Sequence, residues 1–317
     1  MRIFVAGATG AIGRSLVPML VAKGGEVYGL TRTPSKAAWL QEAGAEPIVA
    51  DALDAPAIQR ALASVRPEIV IHQLTSIASA SDVRRFDEAF AASNRLRTEG
   101  LKILIAAARL AKARKVIAQS FCGWPYARVG GAVKTEDDPL DTRPARRQIR
   151  TLAAIKQLEA TVSSLVDLEG IVLRYGTFYG QDTGLFEPGM VRMLRRGMLP
   201  LIGDGGGWWS FVHVDDAASA TARAVEQTSR GVFNVVDSDP APARQWLPLA
   251  AAAVGGKPPP SVPAWLARLV AGEHIVAMMT RARAGSNAKI GREWGWSPRY
   301  PSWRTGFKEV AATLQPR

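Results

Sequence analysis

The sequence predicts an α/β fold, a doubly wound parallel sheet with a smaller second unit, and three observations carry that prediction. Apolar runs of strand length alternate with helix-period segments through the first two thirds of the chain. The runs are rich in Val, Ile and Leu, as strands covered on both faces require. A glycine-rich turn, "GATGAIG", joins the first run to the first helix. Strand, helix, strand in regular succession implies right-handed crossovers and therefore parallel neighbours.

Taken in order, the runs are "RIFVAG", "EVYGLTR", "EPIVAD", "EIVIHQL", "KVIAQS" and "GIVLRYG". Between them lie "AIGRSLVPMLVAKG", "SKAAWLQEAG", "APAIQRALASV" and two long helical segments, residues 82–112 and 142–168. Together they define a Rossmann-type domain over residues 1–180. After Gly180 the rhythm breaks into a short helix, "EPGMVRMLRRG", and a turn-rich stretch, "LPLIGDGGGWWSFVHV". "DDAASATARAVEQ" and "GVFNVV" then read as one more helix and strand, so residues 208–236 return to the sheet. Residues 181–207 and 237–317, with the stiff "GKPPPSVP" connector and the helix "AWLARLVAGEHIVAMMTRAR", form the smaller unit. Its expected place is over the carboxyl edge of the sheet, where open parallel sheets bind ligands.

Composition narrows the class. A chain of 317 residues with 47% hydrophobic content buries a sizeable core. One cysteine, Cys122, rules out an internal disulfide framework. No apolar run approaches a membrane span, and the N-terminus leads straight into a strand, so the cytoplasm is the expected compartment. Lys and Arg outnumber Asp and Glu by 40 to 28. No nucleic-acid motif accompanies the charge, so an anionic small molecule is the expected partner, with neither nucleic acid nor membrane.

In "VAGATGAIGR", Gly7, Gly10 and Gly13 stand three apart between a strand and a helix start. That pattern suits a pyrophosphate, because the turn is tight, the backbone must come close, and the helix start offers free N–H groups. The second strand ends "LTRTPSK", with Thr31, Arg32, Thr33, Ser35 and Lys36 and no carboxylate. An acidic residue there would bond a free ribose hydroxyl, whereas Arg32 suits a 2′-phosphate. NADP(H) is therefore the predicted cofactor, preferred over NAD(H).

These motifs, with "ADALD", "IVIHQLTS", Asn94, "VIAQS", "LRYGTFYG" and "FVHVDDAA", resemble those of the extended or atypical short-chain dehydrogenase/reductases, the epimerase/dehydratase group. The resemblance spans nearly the whole chain. It implies that Thr9 and Ile12 join the glycines at the phosphates, that Asp51 and Ala52 lie at the adenine, and that Gln73, Leu74 and Thr75 line the cofactor channel. It also places Asn94 at the site and brings Tyr175, Gly176, Thr177 and Phe178 near the nicotinamide. A homodimer through the two long helical segments is a further implication.

The family's usual catalyst is a Tyr four residues before a Lys, helped by a Ser or Thr after the fifth strand. Here Lys156 has Leu152 in that place. If Glu159 sets the register instead, Thr151 and Ile155 take the Tyr and Lys positions. Lys156 and Ser120 stay as candidates, and Tyr126 and Tyr175 are the candidate replacement proton donors. Tyr179 is a weaker one. His72 reads as a core residue, and no metal site is expected from His213 and Asp215. Residues 123–150 form a long polar loop that suits a lid, with Trp124, Trp208 and Trp209 as aromatic walls over a substrate. The implied function is an NADP(H)-dependent oxidoreductase acting on a small carbonyl, alcohol or activated alkene. The alternatives are an epimerase or dehydratase binding a nucleotide sugar through Arg192, Arg195 and Arg196, and a non-catalytic dinucleotide sensor.

Overall fold

The computed structural model describes residues 1–76 and 85–314. Seven parallel strands form the central sheet: β1 (Arg2–Ala6), β2 (Glu26–Thr31), β3 (Glu46–Val49), β4 (Ile69–His72), β5 (Lys115–Phe121), β6 (Glu169–Tyr175) and β7 (Gly231–Val235). Their order is β3-β2-β1-β4-β5-β6-β7. The strand order reverses between β1 and β4, and a crevice opens there at the carboxyl ends.

Both faces are covered, which is why the strands read as continuous apolar runs. On one face α1 (Ala11–Ala22) lies beside α3 (Val214–Glu226), with Leu16, Leu20, Ala217 and Val225 packed under them on Val5, Ile71 and Ile117. On the other, helices Ala55–Val65, Leu101–Leu110 and α2 (Ile149–Ser163) bury Leu62, Leu104 and Leu158 against Phe4, Val70 and Val116. The Lys115 amine is fully buried and donates to the carbonyls of Ala224 (3.1 Å), Val225 (3.0 Å) and Gln227, at the end of α3. A cation at a helix C-terminus contributes up to about 2 kcal/mol where it is partly buried.

Three sequence expectations need correction. The helical segment 82–112 begins, among the described residues, at Phe86 and contains a π-helical turn at Leu96–Gly100; residues 82–84 lie outside the described residues. The segment 142–168 is helical only from Arg146, because Pro144 cannot continue a helix from Thr142 and its ring disfavours helical geometry at Arg143. The helix read over 264–283 breaks at Gly272, whose φ of +92° suits glycine, into Ala264–Val270 and Glu273–Arg281.

The smaller unit has its own core of Tyr179, Phe186, Phe211, Trp246, Trp303 and Phe307. Its boundary differs from the one drawn at residue 237. Helix Ala288–Trp294 returns to the sheet, where Trp294 packs on Phe233 at 4.1 Å and Ile290, Trp294 and Trp296 join the core under α3. Conversely Trp208–Trp209 pairs with Ala241–Pro242 on the smaller unit's side.

Candidate active site

The crevice between β1 and β4 is built largely from main chain. Gly7 has φ +95°, and a Cβ there would lie 2.5 Å from the Gln73 carbonyl oxygen; at Gly13 it would lie 2.3 Å from that of Ala8. Both positions need glycine for packing. Gly10 differs, since its nearest neighbour would be the Gly7 oxygen at 3.2 Å and the residue is exposed. No side chain caps α1. The amides of Ala11, Ile12 and Gly13 are thus left for an anion at the positive end of the helix dipole, while the Ile12 side chain is in the core.

From this turn a groove of 170 Å³ runs across the ends of β2 and β4. It brings together Gly7, Thr9, Gly10, Arg32, Ala52, Gln73, Leu74 and Thr75, with Leu30, Thr31, Thr33, Lys36 and Leu96 completing the walls. Arg32 and Lys36 are exposed, and neither forms an ion pair among the described residues. The Gln73 Oε1 atom is buried without a partner. An open anion cradle, two unpaired cations and an orphaned acceptor fit a dinucleotide. Two expected members lie elsewhere. Asp51 turns its carboxylate onto the Leu53 amide at 2.9 Å, leaving Ala52 to line the groove. Asn94 donates to Thr151 Oγ1 (3.0 Å) and accepts from Arg97 (3.1 Å), between helices on the far side of the strand ends. Leu96 was not legible because the π-turn that presents it has no sequence signature; its carbonyl also receives His72 Nε2 at 3.0 Å.

The ends of β5 and β6 are arranged differently. Ser120 Oγ donates to Glu159 Oε1 at 2.6 Å. Arg174 grips the same carboxylate with Nε (2.9 Å) and Nη2 (2.6 Å), and its Nη1 donates to Tyr126 Oη at 3.0 Å. Tyr126 in turn donates to Asn234 Oδ1 at 2.8 Å, and every member of this chain is buried. Tyr175, with no exposed surface, shares hydrogen bonds with Gln73 Nε2 (2.9 Å) and Thr221 Oγ1 (2.7 Å). Burial pushes both phenols above their usual range, so neither is poised to release a proton. Tyr126 and Tyr175 are therefore corrected from proton donors to structural hydroxyls. Ser120 is likewise held by Glu159.

Lys156 does not join them. On α2 the side chains of Thr151, Ile155 and Glu159, spaced four apart, form a buried face, with Thr151 Oγ1 donating to Asp87 Oδ1 at 2.7 Å. Lys156 lies off that face and donates to the Asp141 carbonyl at 2.7 Å. Leu152 packs with Phe86, Trp124 and Ile155. Residues 123–150 are tied down rather than free to swing: Val133–Lys134 pairs with Ala284–Gly285, and Tyr126 bridges Leu140. Arg195 is turned to the Val254 carbonyl at 2.9 Å, within the smaller unit.

Beyond the β5 end, Phe121, Trp124, Thr177, Trp208, Trp209 and Met278 enclose a narrow aromatic cleft. Gly176 lets the chain pass close to Ser210, where a Cβ would lie 2.8 Å from the carbonyl oxygen. Phe178 packs against Tyr175 with ring centroids 5.6 Å apart and planes tilted by 45°. His213 accepts from the Asp215 amide at 3.2 Å, and no metal-binding cluster occurs among the described residues. Nor, among them, is any helix long and apolar enough to cross a membrane.

Sheet order, glycine turn and open groove define a dinucleotide-dependent enzyme of the Rossmann type. Residues 3–235 match the model of the NAD dependent epimerase/dehydratase family, and the chain belongs to that family as an NAD(P)-dependent oxidoreductase of the short-chain dehydrogenase/reductase type. It is 44% identical, over 97% of its length and 99% of the relative's, to a 3-diazoavenalumate denitrifying reductase from a Streptomyces species. Among solved structures it resembles UDP-glucose 4-epimerase of Thermotoga maritima (TM-score 0.78, 22% identity, 99% of this chain and 100% of that one). It also resembles a human epimerase-family protein bound to NADPH (TM-score 0.76, 22% identity, with the same coverage).

Proposed function

We propose that this protein is an NADPH-dependent reductase whose acceptor is an aryl diazo group, lost as dinitrogen. The observation that carries the reading is the commitment of the three leading candidate hydroxyls, Ser120 to Glu159, Tyr126 to Asn234, and Tyr175 to Thr221 and Gln73; the weaker candidate, Tyr179, has a hydroxyl without a partner among the described residues but is wholly buried in the smaller unit's core. Reduction of a ketone develops an alkoxide that needs an acid. A diazonium group is already cationic and needs none. The diazo compound in the relative's name points the same way.

The residues divide the work. The free amides at the start of α1 would hold the pyrophosphate, Arg32 and Lys36 would pair with the 2′-phosphate, and Gln73 Oε1 would be available to accept a hydrogen bond from the dinucleotide. Bound there, the dinucleotide would supply a hydride, and its addition to Ar–N≡N⁺ would leave Ar–H and N₂. Atoms and charge balance without an acid from the protein. Phe121, Trp124, Trp208 and Trp209 orient a flat acceptor and keep water from it.

The test pairs NADPH oxidation with N₂ release, using a diazotised aminocinnamate as acceptor and cofactor deuterated at the transferred position. Deuterium should appear on the arene carbon that carried nitrogen. Reduction of a ketone of the same shape, with the diazo compound untouched, overturns the reading. Arg32→Ala should weaken NADPH about tenfold and leave NADH unchanged; equal affinity of the wild type for both cofactors contradicts the NADP assignment.

A further inference from the structure

The aromatic cleft stands out against the chain that forms it. In a protein of net charge +12, none of its lining residues carries a charge. The nearest arginines in sequence, Arg281 and Arg283, flank the lining residue Ala282, and Arg283 turns its guanidinium onto the carbonyls of Arg281 (3.2 Å) and Arg128 (3.1 Å). Hydrogen-bonding capacity is also scarce. Ser210 exchanges hydrogen bonds with the Gly285 backbone at 3.0 and 2.9 Å and the Trp209 indole N–H donates to the Met278 carbonyl at 3.2 Å, leaving the Thr177 hydroxyl and the indole N–H groups of Trp124 and Trp208 to meet a ligand. What remains is a lining dominated by four aromatic side chains, Phe121, Trp124, Trp208 and Trp209.

We infer that this cleft selects a flat aromatic ligand by its positive charge, with the tryptophan faces as the recognition element. The inference deepens the reductase reading by naming the charge state of the acceptor, and it rests on that reading for the cleft being the acceptor site. A cation over a desolvated indole face is attracted by the ring quadrupole, and the lining holds no Lys or Arg to repel it. A neutral carbonyl compound of the same shape does not gain that attraction. The cleft has room for 20 Å³ as it stands, so a ring enters by displacing a wall. Met278, unbranched and adaptable, is the side chain suited to yield.

Titration calorimetry on the full chain saturated with NADP⁺, where no turnover occurs, tests charge directly. N-methylquinolinium and quinoline at pH 8 have the same ring system and differ in charge. The cation should bind at least tenfold more tightly. Trp208→Phe should narrow that ratio and Trp208→Leu should bring it close to one, with NADP⁺ affinity and melting temperature unchanged. Trp209→Leu should act likewise; since Trp209 also packs on Trp246 at 4.9 Å, the Trp208 series decides if that variant fails to fold. Equal binding of the two ligands, tighter binding of quinoline, binding of neither, or a full cation advantage in Trp208→Leu each overturns the inference. The reductase reading is judged separately by N₂ release: a cation advantage without N₂ release sinks that reading and leaves the recognition standing.

Discussion

The groove over β1, β2 and β4 and the ends of β5 and β6 lie on one sheet edge, yet they treat polar atoms in opposite ways. In the groove they are left over: among the described residues the α1 amides have no side-chain cap, Gln73 Oε1 has no partner, and Arg32 and Lys36 face solvent without an ion pair. At β5 and β6 they are used up, Ser120 by Glu159, Glu159 by Arg174, and Tyr126 by Asn234. A buried polar group without a partner costs about 1–3 kcal/mol, so vacancies of this kind persist where a ligand fills them. The contrast teaches that a hydroxyl at the carboxyl edge becomes a candidate for chemistry through what it lacks, not through its type or position.

Breaking the closed side should give the largest effect. Glu159→Ala leaves the Arg174 guanidinium buried and unpaired, and loss of one partner of such a pair costs about 3–5 kcal/mol. Denaturant unfolding should show it, and Glu159→Leu with Arg174→Met should recover most of the loss. A small effect of Glu159→Ala would mean the pair is not buried as described. On the open side, Gly10→Val should weaken NADP⁺ binding by more than about 100-fold with circular dichroism and melting unchanged, since the space it fills is the ligand's. Gly13→Ala should do the reverse of this division and destabilise the fold itself, because its Cβ meets backbone. If both glycine variants behaved alike, the distinction between packing and binding glycines would be lost.

Two milder variants sharpen the comparison. Tyr126→Phe should cost roughly 1–3 kcal/mol in stability, from Asn234 and Arg174 losing a partner, and should leave turnover within about threefold. A drop of about 10²–10⁴ would restore it as the acid. Lys156→Ala should be the quietest, within about 0.5 kcal/mol and with cofactor affinity unchanged in calorimetry, since its amine meets only the Asp141 carbonyl.

What was legible in the sequence follows the same divide. All seven sheet strands could be read, the inner ones because burial on both faces writes itself as apolar runs and the half-exposed edge strand β3 from its short "PIV" run. So could the groove's Gly7, Gly10, Arg32, Gln73, Leu74 and Thr75, since turn geometry and strand ends fix main chain in place. Asp51 and Asn94 were misplaced because a side chain's direction depends on its nearest partner, here Leu53 and Thr151. The roles proposed for Tyr126 and Tyr175 failed for that reason too: their partners Asn234 and Thr221 lie 108 and 46 residues away. Leu96 was hidden by a π-turn, and the return of residues 288–296 to the sheet by a helix no different in composition from those of the smaller unit.

That return has a mechanical consequence. The polypeptide passes from sheet to smaller unit after β6, back for α3 and β7, out again after Val235, back at Ala288–Trp294, and out once more to the C-terminal helix Trp303–Thr313. Each further crossing adds a hinge that any swing of the two halves must satisfy at once. No single proteolytic cut frees either half, and neither half is continuous enough to be made alone. An acceptor in the proposed cleft would then enter by the yielding of individual side chains, Met278 among them.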